Sequence, residues 1–536
     1  MRPVPASWAR AGWVAALAAW AVQMAVLVDR SYLQASSLNL AADLARYSGA
    51  AQWRGVYYRG DKIGFTVGET VPLADGFELR EDGRLQMALL GATTAARVRT
   101  MVRVDREFTL RSFEFSLDPG TGAVEVSGAV EGQRLDLTIA TPSGRRTESR
   151  QLTETPALSL SVPRRLAAAG LRPGAHHELS LFDPATLRNA PLVVDVMGRE
   201  VVSAAGRPVP AFKVRAQFGG ITSFSWVTDT GEVVKEESPL GLVVVRETQD
   251  RAVELGVSGD VRSDMLEAAA VVPSPVVRID DPGAVERLRL RLLDAEGLDP
   301  ADLDGAGQTV TGDAFEIRDQ QDAPMGPPDP QAARFLGPEP FIESDAPEIV
   351  AEARAATAGA AGPRQRAERL VRHVNELLEK KPTVSLPSAL EVLRTRVGDC
   401  NEHTVLFVAL ARASGLPARI AVGLVYQRGG FYYHAWPEVY VEERGRALWL
   451  PADPTLNQFP ADATHLRLAR GGLDRQAVVM PLIGRVKMTE VRVHLRPGSV
   501  PVIVGGPRPG TPTLAGPGFP AAPVRRDCWS DSWVGP

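Results

Sequence analysis

Through much of the stretch from about Trp53 to Asp250, apolar side chains recur at every second position, a period that suits an antiparallel sheet with one buried face. Val98, Thr100, Val102 and Val104 alternate with Arg97, Arg99, Met101 and Arg103, and Phe113, Phe115 and Leu117 alternate with polar neighbours. The pattern returns at Leu135, Leu137 and Ile139, at Phe212, Val214, Ala216 and Phe218, and at Phe224 and Trp226. Turn pieces such as Asp118-Pro119-Gly120 and Asp229-Thr230-Gly231 separate the runs. The expectation is an antiparallel β-rich domain over residues 45–260, a spacer or docking surface with no phosphate loop and no metal cluster. His176 and His177 are adjacent, so in a strand they face opposite ways and make a poor ligand pair.

At 536 residues the chain exceeds what one core organises, and roughly two to four domains are expected. Hydrophobic residues make up 44% and charged residues 23%, which excludes a disordered or collagen-like body. A formal net charge of -4 supplies no basic field, which argues against nucleic acid as a partner. Cys400 and Cys528 are the two cysteines, too few for a disulfide framework. Cys528 lies in a Pro/Gly-rich tail with little to fix its geometry, so a bridge between the two is the weaker reading and Cys400 is expected to be free.

From Gly12 to Val28 the chain is almost wholly apolar, long enough to cross a hydrocarbon core as a helix. Arg2 and Arg10 precede it, which by the positive-inside rule leaves the N-terminus in the cytoplasm and the rest outside. The apolar run is long for a signal-peptide core and no convincing small-x-small site follows it before Asp29, so an uncleaved anchor over residues 1–30 is favoured over a signal peptide. The expected location is the inner membrane, crossed once, with the bulk of the chain periplasmic or otherwise extracytoplasmic.

Residues 261–337 read as a second β-containing stretch ending in the proline-rich segment from Ala323 to Pro340, which neither a helix nor a central strand accommodates. Beyond it the period changes. Asp345 is placed to cap a short helix, and Ala367, Leu370, Val374, Leu377 and Leu378 recur at helical spacing. Residues 338–500 form the next expected domain, and 501–536 a tail whose composition predicts disorder.

Two capping patterns follow, Ser388 with Glu391 and Asp399 with Glu402, and the second starts a helix at Cys400. Val405 to Leu410 are apolar on every side, so this helix is expected to be buried except at its first turn, ending near Gly415. A thiol there meets unpaired N–H groups and the positive end of the helix dipole, which favour thiolate. Three strands are then expected, Arg419 to Tyr426, His434 to Val441 and Ala447 to Leu450, which bring Cys400, His434 and Asp453 towards one point as nucleophile, base and orienter. His403 reads as a structural histidine, Trp436 and Trp449 as core aromatics, and Arg419 as a partner for a carboxylate. A zinc site from Cys400, His403 and His434 lacks paired-ligand spacing. No cofactor is expected.

The blocks GDCNEHT, GLPARIAVG, YHAWPEVYV and WLPADPT resemble, in order, the core motifs of the bacterial transglutaminase-like superfamily, over roughly residues 340 to 470. The resemblance implies an α+β, papain-like core in which Cys400 is nucleophile, His434 base and Asp453 the third member. It also implies a thiol enzyme acting on peptide or isopeptide amides through a thioester. The rival is a binding or assembly protein that uses this domain as a scaffold. A peptide or protein substrate, the membrane, and an envelope protein on the β-rich half are the expected partners.

Overall fold

The computed structural model describes residues 51–499 and 503–504, apart from 90–91, 121, 239–240, 255–269, 383–384, 473–474, 477–478, 480–481 and 483–484. The expected membrane anchor and the tail beyond 504 lie outside the described residues. Among the described residues, no helix is long and apolar enough to cross a membrane.

The period-two segments assemble into one fourteen-stranded antiparallel sheet. Its strands run in reverse chain order from Gly144–Gln151 at one edge to Gln52–Tyr58, which pairs with Leu242–Glu247, and then in reverse chain order again to His176–Asp183 at the other edge. Two meanders are thus joined through the first and last strands, so Trp53 lies opposite Glu247 and Tyr58 opposite Leu242. Val102, Val126 and Leu135 are fully buried on one face, whereas Arg99 and Arg103, one step out of phase with Val102, stay exposed. Phe341 and Leu386, from the second half of the chain, enter this same apolar cluster, and Ser143 Oγ donates to Glu391 at 2.6 Å beside them.

The second half holds a smaller sheet in the order Gln308–Thr311, Ala314–Arg318, Val285–Leu293, Lys487–Leu495. Its Leu288 and Leu290 share one continuous core with the helices and strands that follow. Ile503–Val504, within the segment expected to be a disordered tail, pairs with Val277–Arg278.

Four helices come next, α1 (Pro347–Thr357), α2 (Pro363–Leu377), α3 (Ala389–Thr395) and α4 (Cys400–Ala413). The first begins on Ala346 rather than on an Asp345 cap, with Pro347 at its first helical positions, where a missing N–H costs nothing. The second buries Ala367, Leu370, Val371 and Val374, the stripe its spacing predicts. The core sheet consists of β1 (Ala418–Gln427), β2 (Gly430–Glu443), β3 (Arg446–Pro451) and β4 (His465–Arg470), antiparallel in the order β3-β2-β1-β4. Helix α4 packs against α1, α2 and α3 and against β2 and β1. That enclosure explains why it is apolar all round: Leu406 through Ala411 are each 0% exposed. By content the protein is mostly β, 50% strand against 18% helix, so the α+β balance expected from the sequence overstated the helical share. The helices form one local layer beside extensive sheet.

Phe407 has no exposed surface and lies in the middle of this enclosed helix. Phe407→Ala is expected to destabilise the fold by about 3–5 kcal/mol in urea unfolding, because surrounding helices on every side prevent collapse into the cavity.

Candidate active site

Asp399 caps α4. Its carboxylate accepts from Asn401 N at 2.9 Å, and Glu402 Oε2 accepts from Asp399 N at 2.9 Å, a reciprocal capping box. Gly398 is required beside it, since a Cβ there would lie 2.2 Å from Glu402 Cβ. At α3 only half of the analogous pattern forms: Ser388 Oγ accepts from Glu391 N, while the Glu391 carboxylate turns to Ser143 and Arg394.

Cys400 follows the cap as the first residue of α4, a free thiol, partly exposed. Burial pushes this thiol well above its ordinary value, the Asp399 carboxylate pushes the same way, and the backbone N–H of Ala435 opposes both. The expectation that the helix start alone would favour thiolate is therefore corrected. The residue that caps the helix is itself an anion beside the sulfur.

His434 lies on β2, 4% exposed, and its Nε2–H donates to Asp453 Oδ2 at 2.7 Å. In the neutral ring that bond assigns the lone pair to Nδ1. Trp436, on the same strand face, stacks on the His434 ring at 6.1 Å with an interplanar angle of 20°. Trp436 is thus buried core, as its reading anticipated, and it also fixes the plane of the imidazole.

Asp453 follows β3 and has no exposed surface. Oδ1 accepts from Thr455 N at 2.7 Å and Leu456 N at 2.9 Å. Oδ2 accepts from His434 and also from His465 Nε2 at 3.0 Å. Burial would raise this carboxyl; the two imidazoles outweigh burial and hold it well below the usual carboxylate range.

His465 and Asp462 are site residues that sequence reasoning missed. His465 opens β4, and its Nδ1 faces Asp462 O at 3.1 Å and Oδ1 at 3.3 Å. Burial lowers its pKa, but Asp453 and Asp462 together push it up to about 10. A signal was present in HLRLAR, where His465 and Arg467 alternate with Leu466 and Leu468: two polar residues share one face of a strand in a buried setting. Gly423, the register partner of His434, makes room for this strand, since a Cβ there would lie 2.0 Å from Leu466 O.

Ring nitrogens of His434 and His465 and a carboxylate oxygen of Asp453 all lie within 4.8 Å of one another, close enough for a shared cation. Hydrogen bonds to Asp453 and Asp462 already engage three of the four ring nitrogens. His403 is fully buried with Nδ1–H donating to Asp399 O at 2.7 Å, and burial pushes it down to about 4, so it is a neutral structural residue. Its Nε2 has no partner among the described residues. Arg419 pairs with Glu438, as expected of it, and its guanidinium lies 4.0 Å from the Trp449 ring centroid. Glu438 is fully buried and binds Arg467 and Arg470 as well, which locks β1, β2 and β4 together around the histidines.

Residues 351–454 match the model of the transglutaminase-like superfamily. That span contains Cys400, His434 and Asp453 and ends one residue past the last of them. Within a mostly β protein, this stretch is thus a transglutaminase-like core. No curated protein matches the chain. Among solved structures, the chain is similar to a candidate cysteine protease from Cytophaga hutchinsonii, at 15% identity over 42% of this chain and 89% of that one, TM-score 0.26. It is similar to a β-barrel-like protein of Brucella abortus, at 14% identity over 37% and 95%, TM-score 0.29. It is similar also to the periplasmic domain of TgpA from Pseudomonas aeruginosa, at 20% identity over 35% and 78%, TM-score 0.21. At these scores the neighbours add nothing to the geometry.

Burial raises the Glu438 carboxyl, but Arg467, Arg470 and Arg419 outweigh it and bring it down to about 2, against about 4.3 for a free glutamate. Its contribution to stability is complete above about pH 4.3 and is lost as pH falls towards 2. Urea unfolding between pH 5 and pH 2.5 is expected to show a steep acid loss in the wild type. Glu438→Gln is expected to be weaker at pH 7 and to lose less over the same interval, because it no longer carries that proton linkage.

Proposed function

We propose that the transglutaminase-like domain is a thiol enzyme in which Cys400 is the nucleophile, His434 the base and Asp453 the group that orients the base. The observation that carries this reading is the buried hydrogen bond from His434 Nε2–H to Asp453 Oδ2, which directs the free lone pair to Nδ1, with Cys400 in the first turn of the enclosed helix. Because burial and Asp399 disfavour a solitary thiolate, the Cys400 proton has to pass to an acceptor as the sulfur becomes nucleophilic. His434 Nδ1 takes that proton, and the sulfur bonds to an amide carbonyl carbon. The developing oxyanion is met by the Cys400 backbone N–H, a helix-start donor that the capping box leaves uncommitted among the described residues. His434 returns the proton to the departing amine, the C–N bond breaks, and a thioester remains. Water then attacks the thioester carbon as His434 accepts its proton, the C–S bond breaks, and His434 passes the proton to the departing sulfur, leaving the thiol and a carboxylic acid.

The substrates proposed are peptide or isopeptide amides. Hydrolysis is favoured over transfer to an amine, since bulk water outcompetes dilute amines unless a site excludes it. We propose in addition that the apolar run at 12–28 anchors the protein in the inner membrane with this domain extracytoplasmic, and that the fourteen-stranded sheet carries an envelope protein partner. The insertion of Phe341 and Leu386 into the sheet's apolar cluster supports a sheet rigidly coupled to the catalytic half.

Intact-protein mass spectrometry after incubation with envelope peptides is expected to reveal an acyl adduct at Cys400 in the wild type and none in Cys400→Ala. His434→Ala is expected to slow adduct formation by about 10²–10⁴-fold. Adduct formation that is indifferent to His434 rejects the enzyme reading in favour of a scaffold.

A further inference from the structure

The His465–Asp462 pair sits behind the proposed triad and is used by no step of it. We propose that His465, doubly protonated and clamped between Asp453 and Asp462, is a positioning residue that divides the Asp453 carboxylate between two imidazoles and so leaves His434 free to accept and return a proton. The inference rests on the triad reading and deepens it.

Hydrogen-bond geometry assigns both protons of His465. Its Nε2 meets Asp453 Oδ2 at 3.0 Å, and its Nδ1 meets Asp462 O at 3.1 Å and Oδ1 at 3.3 Å, acceptors in every case. Either neutral tautomer would set a nitrogen lone pair against an oxygen, so only the imidazolium satisfies both sides. Asp462 is held as an anion for that task. Its Oδ1 also accepts from Thr464 N at 2.9 Å and Thr464 Oγ1 at 2.6 Å, and its Oδ2 accepts from Gln458 Nε2 at 2.9 Å. Gln458 in turn pairs its backbone with Asp453, N to O at 2.8 Å and O to N at 2.9 Å, so one short loop fixes both carboxylates.

Trp436 lies edge-on to His465 at 5.2 Å and parallel to His434 at 6.1 Å, and the imidazole centroids are 5.8 Å apart. Among the described residues, the charged or titratable groups that face His465 are Asp453, Asp462 and the His434 ring. Its register partner on β1 is the apolar Val425, and Arg467, farther along β4, turns to Glu438. With Asp453 unexposed and His465 4% exposed, these charges act on one another with little screening. The pull of Asp453 on a protonated His434 is therefore offset by repulsion from His465. Removing the His465 charge leaves Asp453 undivided, which favours the protonated His434 ring and holds back its return of the proton.

The test is the pH dependence of iodoacetamide alkylation at Cys400, followed by peptide-level mass spectrometry so that Cys528 is counted separately, in full-length wild type, His465→Gln, Asp462→Asn and His434→Ala. The inflection that depends on His434, the one His434→Ala removes, is expected to move to higher pH by about one unit or more in His465→Gln. Asp462→Asn, which unclamps His465, is expected to move it in the same direction by less. Thermal unfolding checks each fold, and Asp462→Asn, nearly equal in volume to the native residue, carries the test should His465→Gln not fold. An inflection that stays put in a folded variant, whatever the loss in melting temperature, makes His465 a packing residue and overturns the proposal. A His434→Ala profile identical to wild type overturns instead the triad on which it rests.

Discussion

A carboxylate with no exposed surface organises this site. Removing an ion from water costs several kcal/mol unless hydrogen bonds and opposite charge replace the solvent, and Asp453 receives four donors in compensation. Two come from the loop just beyond it, which fixes where the chain turns after β3. Two come from histidines on different strands, which fixes how β2 and β4 lie relative to that turn. The arrangement is over-determined, and so the His434 ring has one orientation. Glu438, one further buried anion on β2, repeats the device with three arginines and ties the same strands together from the other end.

The start of α4 sets two demands against each other. A helix buried on every side needs its first N–H groups satisfied, and Asp399 and Glu402 do this with two carboxylates. Burial already disfavours a negative sulfur at Cys400, and those same charges, one and two residues away, oppose it further. The helix start is thus stabilised at the expense of spontaneous thiolate formation, and a reactive sulfur at this position depends on a proton acceptor close by. In the proposed mechanism such an arrangement keeps the thiol protonated until His434 accepts its proton.

Much of this was legible in the sequence because the relevant signals are local. The alternation of Val102 and Val104 with Arg103, the Asp399/Glu402 box, the apolar run from Val405 to Leu410 and the three short strands before Asp453 each report the physics of a few neighbouring residues. What escaped depends on pairing between distant segments. Nothing local says that Gln52–Tyr58 pairs with Leu242–Glu247 to merge two meanders into one sheet, that Lys487–Leu495 returns to complete the sheet containing Val285–Leu293, or that His465 reaches the carboxylate His434 already uses. The thiol's electrostatics also ran against the local rule, because the dipole of a helix start was counted while the burial of the sulfur and the charge of the helix cap were not.

One buried oxygen, Asp453 Oδ2, is shared by two imidazoles. Nitrogen-15 NMR of histidine-labelled protein near pH 8, in the Cys400→Ala background, reads the ring protons directly. Hydrogen-bonded N–H protons are expected at His434 Nε2 and at both nitrogens of His465, all three perturbed by Asp453→Asn. A single protonated nitrogen on His465, or a His434 ring indifferent to Asp453→Asn, would contradict that sharing.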